Sequence, residues 1–203
     1  MKRDFNVLGF KKLANILRII MNVLYWISLG GIVISVLAIP VLYFVTNGDL
    51  TANHILKGSL TVNLSNGRGL SFNYPQITVP PTADFTRIIM SIIGGTAIFC
   101  MAMMVIFRQL RDILKTVSTG TPFEAKNSKR ILNIGATLIG FSIAFNVFIS
   151  FILMNIVDTL DIKDLQITSG VDMFMFFTGI LLIILSGIFK YGAYLQNEFD
   201  TTL

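Results

Sequence analysis

Four stretches of this chain contain no Asp, Glu, Lys or Arg: residues 19 to 48, 88 to 107, 131 to 157 and 173 to 189. A helix rises about 1.5 Å per residue and the hydrocarbon core of a bilayer is about 30 Å thick, so roughly 20 residues span it and about 17 is the short end. All four stretches meet that requirement. The fourth, at the short end, is extended by Lys190, whose aliphatic stem lets its ammonium snorkel to the interface while the helix continues through Tyr191 and Tyr194. With 54% hydrophobic residues, 13% charged residues and a mean hydropathy of +0.74, the apolar excess needs lipid rather than a soluble core. The first stretch is too long for a cleaved signal peptide, whose apolar region spans about 7 to 15 residues. The fold class expected is therefore an all-α integral membrane protein, a bundle of four transmembrane helices.

Charge sets the expected orientation. Lys2, Arg3, Lys11, Lys12 and Arg18 precede the first span, and Arg108, Arg111, Lys115, Lys126, Lys129 and Arg130 lie between the second and third. The 49 to 87 loop holds only Lys57, Arg68 and Arg87, and the 158 to 172 loop only Lys163 among Asp158, Asp161, Asp164 and Asp172. The excess of cations on cytoplasmic loops puts both termini in the cytoplasm of a cell membrane and both poor loops outside. The net charge of +5 is a topology signal, not a nucleic-acid footprint, although its inner face also suits anionic lipid.

These limits divide the chain into an amphipathic segment 1–18, a first span 19–45, an outer loop 46–86, a second span 87–107, a basic inner hairpin 108–130, a third span 131–157, an acidic outer loop 158–171, a fourth span 172–192 and a tail 193–203. In the long outer loop Leu60, Val62 and Leu64 alternate with polar residues, Ser65-Asn66-Gly67-Arg68 supplies a turn, and Leu70, Phe72 and Tyr74 alternate again, which predicts a β-hairpin. Its apolar face, if not a lid over the helix ends, is an extracellular recognition surface. Small residues at Gly30 and Gly31, at Ser91 with Gly95, and at Gly140 with Ala144 suit close helix packing. In the inner connection Arg108, Arg111 and Lys115 share one face of a helix that continues out of the second span. Thr121 as N-cap, Pro122 at the first helical position and Glu124 at the third predict a capping box that starts the next helix.

Chemistry is thin in this sequence. His54 and Cys100 are the only histidine and cysteine, so an ordinary zinc site or an internal disulfide lacks ligands. Asp158, Asp161, Asp164 and Asp172 do not follow calcium-loop spacing, and no phosphate-binding glycine loop is present. The four charge-free stretches hold by definition no Asp, Glu, Lys or Arg to mark a path; Asn133, Asn146 and Asn155 are polar exceptions in the third, and for Asn146, the deepest, a single interhelical hydrogen bond is a simpler account than a transport path. The expectation is a protein without cofactor, metal or catalytic residues.

Arg108-Gln-Leu-Arg-Asp-Ile-Leu-Lys115, Gly120-Thr-Pro-Phe123, Asn127, Arg130, Asn133-Ile-Gly135, Phe189-Lys-Tyr-Gly192, Leu195-Gln and Glu198-Phe-Asp200 together resemble the bacterial membrane family called domain of unknown function 2975. The resemblance covers most of the chain and implies a four-helix membrane protein of low-G+C Gram-positive or related bacteria. Such proteins are often encoded beside a small helix-turn-helix regulator of the Cro/repressor type, which implies a cytoplasmic protein partner and no direct nucleic acid. The reading that follows is a non-enzymatic sensory or interaction protein. Its partner site combines Arg108, Arg111, Lys115, Lys126, Lys129 and Arg130 with Glu198 and Asp200 of the tail, opposite charges that meet as a platform for a regulator. Two alternatives stand beside it: an immunity or protective protein that recognises a peptide through the outer loop, and a small transporter subunit that would need further copies of itself.

Overall fold

The computed structural model describes residues 2–46, 65–66, 70–71, 84–160 and 170–202. Four helices dominate: α1 Lys2–Thr46, α2 Thr86–Thr119, α3 Ala125–Thr159 and α4 Met173–Thr202. Each runs well beyond its charge-free stretch at the cation-rich end. Lys, Arg and Glu are good helix formers, so the helices run past the apolar limit instead of stopping there, and α1 shows no break between its amphipathic start and its apolar part. Within them Lys11–Val45, Thr86–Thr119, Ala125–Thr159 and Met173–Phe199 are long and apolar enough to cross a membrane, which makes the chain a multi-pass membrane protein by length and composition. Acidic side chains cap two of the starts. The Thr86 N–H donates to Asp84 Oδ1 at 2.8 Å and the Met175 N–H to Asp172 Oδ1 at 3.2 Å.

The hairpin expected in the outer loop is not supported at the predicted length. Strands β1 (Ser65–Asn66) and β2 (Leu70–Ser71) form a two-residue antiparallel ladder that pairs Ser65 with Ser71 and Asn66 with Leu70. Ser65 and Asn66 are thus strand residues and not the turn. The alternating positions Leu60, Val62, Leu64, Phe72 and Tyr74, and His54, lie outside the described residues.

Consecutive helices pack antiparallel, α1 on α2, α2 on α3 and α3 on α4. No Cα of α1 comes within 8 Å of α3 or α4, and none of α2 within 8 Å of α4. The expected bundle therefore does not close on itself, and the helices form an open row with α1 and α4 at its edges. Their outer faces carry Trp26, Ile34 and Phe44 on one edge and Phe174, Leu181 and Ile188 on the other, all exposed. That distribution suits a solvent of lipid tails, which gives apolar side chains no reason to turn inward.

What holds the row together is close backbone approach and short polar links. A Cβ added to Gly135 would lie 2.7 Å from the Gly179 carbonyl oxygen, and one on Gly179 would lie 2.8 Å from that of Gly135, so α3 and α4 touch backbone to backbone there. Two turns away the Ser128 hydroxyl donates to the Ser186 carbonyl at 2.8 Å while the Ser186 hydroxyl donates to the Ser128 carbonyl at 2.9 Å. On α2, Gly95 receives the Phe148 ring of α3, and Ser91 Oγ accepts from Asn155 Nδ2 at 2.8 Å. Gly31 faces Cys100 across α1 and α2, as a packing role for both requires. The pair Gly140 and Ala144 does not pack: a Cβ at Gly140 meets nothing within 4 Å and Ala144 is exposed. Asn146 is buried and bonds within its own helix, Nδ2 donating to the Ser142 carbonyl at 2.6 Å. Among the described residues no buried side-chain nitrogen or oxygen lacks a hydrogen-bond partner.

Candidate functional site

The basic residues converge on one end of the row, where α2 turns into α3 and where Lys11 of α1 and the last turns of α4 also lie. Gly120, at φ 88°, takes the left-handed conformation that ends α2, its N–H bonding the Val117 carbonyl at 3.1 Å. The Thr121 N–H bonds the Thr116 carbonyl at 2.9 Å, which completes a Schellman closure. Thr121 is thereby taken up by the end of α2. The expected capping box of Thr121, Pro122 and Glu124 is not formed, because α3 starts at Ala125 with Glu124 as an extended N-cap residue that makes no side-chain cap bond.

Asn127 organises the turn instead. Fully buried, it donates through Nδ2 to Thr116 Oγ1 at 2.6 Å and to the Pro122 carbonyl at 2.9 Å, and its Oδ1 accepts from Arg130 Nη1 at 2.7 Å. The same Arg130 nitrogen donates to the Asp112 carbonyl at 3.2 Å. Arg130 is thus a strut between α2 and α3.

Pro122 and Phe123 project the turn toward α4. The Phe123 ring lies tilted 5.5 Å from Phe189, and a Cβ on Gly192 would lie 3.2 Å from Phe123, a contact tight enough that the ring would have to shift by a few tenths of an ångström. Beside this contact opens a groove of about 620 Å³ lined by Thr121, Phe123, Glu124, Lys190, Tyr194 and Asn197. Phe123 remains 46% exposed, an aromatic anchor point at the mouth. On the rim Lys126 Nζ lies 3.6 Å from Glu124 Oε1, with the lysine largely in solvent, and the Tyr194 hydroxyl donates to Glu198.

The α1 side of the same end is built differently. Arg111 of α2 reaches across to α1, donating from Nη1 to Asn22 Oδ1 at 3.1 Å, with its guanidinium carbon 5.3 Å from the centre of the Tyr25 ring. Its Nε donates to Asp112 Oδ1 at 3.2 Å. A second cavity, of about 390 Å³, opens here between Arg18, Ile19, Asn22, Arg111, Asp112 and Lys115.

The residues expected to form one basic platform are therefore divided. Arg111 and Lys115 face α1, Arg130 is committed to the α2–α3 link, and Arg108, Lys126 and Lys129 are on exposed or outward positions. Glu198 sits on α4 with Tyr194, and the side chain of Asp200 lies outside the described residues. Sequence reading passed over Phe123 as an anchor, Asn127 as the organiser and Arg18 with Asn22 as cavity walls. Arg18 and Asn22 carried a signal, since polar residues four apart at the margin of a charge-free run share a helix face. Among the described residues no group of three or more His, Cys, Asp and Glu is placed to hold a metal ion; Asp161 and Asp164 are outside them.

A family model described as "Protein of unknown function (DUF2975)" matches residues 70–203, two thirds of the chain, and includes the whole groove between the turn and α4. No curated protein and no solved structure matches the chain.

Proposed function

Because the chain belongs to the DUF2975 family, whose description names no activity, we propose a function from the site: a non-enzymatic membrane protein that docks a small soluble regulator in the groove between the α2–α3 turn and α4. The observation that carries this reading is Phe123, half exposed at a groove of about 620 Å³ whose other walls set Ala125, Ala193 and Tyr194 among the polar Thr121, Glu124, Lys190 and Asn197. An aromatic anchor beside a polar rim is the arrangement that concentrates binding energy in protein interfaces. Lys190 and Lys126 add positive charge next to it, favouring a partner segment with an apolar residue flanked by acidic ones.

The cation-rich end faces the cytoplasm of the cell membrane in this reading, with both termini, as the distribution of Lys and Arg requires. The groove is then accessible to a cytoplasmic protein, and the Cro/repressor-type regulator implied by the family resemblance is the partner to test. Holding such a regulator at the membrane separates it from DNA, which gives the interaction a regulatory output. A transporter finds less support, since an open row of helices encloses no conduit within one chain.

The test is binding of that purified regulator to the full-length protein in nanodiscs, wild type against Phe123→Asp, with Ser118→Ala as a control on the same turn. Loss of an aromatic hot spot weakens binding by about 2 kcal/mol or more, roughly thirtyfold. Equal affinity of wild type and Phe123→Asp, or no binding to either, removes the reading and moves recognition to the outer loop.

A further inference from the structure

The cavity between α1 and α2 is separate from the docking groove and has its own chemistry. Three cations, Arg18, Arg111 and Lys115, line it against a single carboxylate, Asp112. Arg111 is pre-positioned: Asn22 holds one of its N–H groups, Asp112 another, and Tyr25 supports the guanidinium plane. A guanidinium has five N–H donors, so three remain for a ligand in a fork whose geometry matches phosphate oxygens. The volume of about 390 Å³ falls in the range of about 300–1,000 Å³ typical of small-molecule sites.

The depth of the cavity identifies the source of the phosphate. Trp26 lies one helical turn beyond Asn22, packs edge-on against Tyr25 at 5.7 Å and is 61% exposed, the position of an aromatic belt at the headgroup level. Ile19, itself largely exposed, supplies an apolar wall within the cavity, and Trp26, seven residues on, shares its face of α1 on the membrane side. A free anion has no use for that apolar border, whereas a phospholipid places its phosphate among the cations and its glycerol and chains along Ile19 and Trp26. We propose that Arg18, Asn22, Arg111 and Lys115 form a binding site for the phosphate headgroup of an anionic phospholipid, intercalated between α1 and α2. Basic pockets between membrane helices have this chemistry. The site stands on geometry that the regulator-docking reading does not use.

Trp26, the chain's only tryptophan, reports on the site directly. The full-length protein is placed in phosphatidylcholine nanodiscs, and quenching of Trp26 by brominated phosphatidylglycerol is compared with quenching by brominated phosphatidylcholine. The wild type prefers the anionic lipid. Arg18→Gln/Lys115→Gln, which leaves the Arg111 link in place, lowers that preference by about tenfold for each charge-assisted contact removed. Lys12→Gln, an exposed cation on the same helix outside the cavity, lowers it by no more than about fivefold through general surface attraction. No preference in the wild type, or an undiminished preference in the double variant, overturns the site. Abolition of the preference by inorganic phosphate at constant ionic strength overturns the lipid assignment and assigns the cavity to free phosphate.

Discussion

Asn127→Ala tests how the end of the molecule that carries both cavities is held in shape. The wild-type side chain is fully buried and ties three segments together: Thr116 at the end of α2, Pro122 in the turn and Arg130 on α3. Two neutral hydrogen bonds are worth about 1 kcal/mol each and the charge-assisted bond from Arg130 about 2 kcal/mol, a ceiling of about 4 kcal/mol. Thr116 keeps its own bond to the Ile113 carbonyl at 2.7 Å, and Arg130 keeps Asp112 at 3.2 Å, so neither is left wholly without partners. The expected loss is about 2 to 4 kcal/mol. Unfolding by dodecyl sulfate in mixed micelles measures it, with Ser118→Ala as the comparison. Ser118 bonds only the Lys115 carbonyl at an exposed position and its loss stays within about 0.5 kcal/mol. A loss below about 1 kcal/mol for Asn127→Ala would refute the bracket and show that water replaces the side chain at no great cost.

Two glycine contacts give further expectations. Gly135→Ala drives a methyl against the Gly179 carbonyl, a backbone atom that cannot rotate away, and lowers the midpoint of unfolding by the equivalent of about 1 to 3 kcal/mol, whereas Gly140→Ala leaves it unchanged because nothing lies within 4 Å. Both are read in the same micelle titration, and equal effects at the two positions would contradict the α3–α4 crossing. Gly31→Ala places its methyl 2.7 Å from Cys100 Sγ, so it destabilises on its own and is rescued by Cys100→Ala, which removes the opposing sulfur; a double variant no better than the single one would contradict the α1–α2 register.

The four spans were legible because burial in lipid imposes a length and excludes charge, and both can be counted along a sequence. Which helix touches which was not. Apolar residues face lipid and neighbouring helices alike, so periodicity does not mark the contact side, and the glycines at 135 and 179 look no different from the exposed one at 140. The polar links divided in the same way: Ser91 and Asn155 were visible as polar residues in spans, but their pairing, and that of Ser128 with Ser186, depends on helix rotation. At the turn, five residues separate two helices, and Thr121 has the right identity to start the second or finish the first. The left-handed Gly120 decides it, since the closure of α2 takes the Thr121 N–H before α3 begins. The basic residues fell on separate faces for a related reason. Arg111 and Arg130 sit on different helices, and one turns toward α1 while the other turns back into the link between α2 and α3.

The open row has a temporal meaning as well as a spatial one. Among the described residues each helix packs only on those next to it in the chain, so each helix interface joins segments that leave the ribosome one after the other. α1 and α2 can complete the Arg111–Asn22 bond and the Gly31–Cys100 contact while α4 is still being made, and each later helix adds to a finished surface. The direction of synthesis is then also the direction of assembly, and no helix has to find a partner across the row.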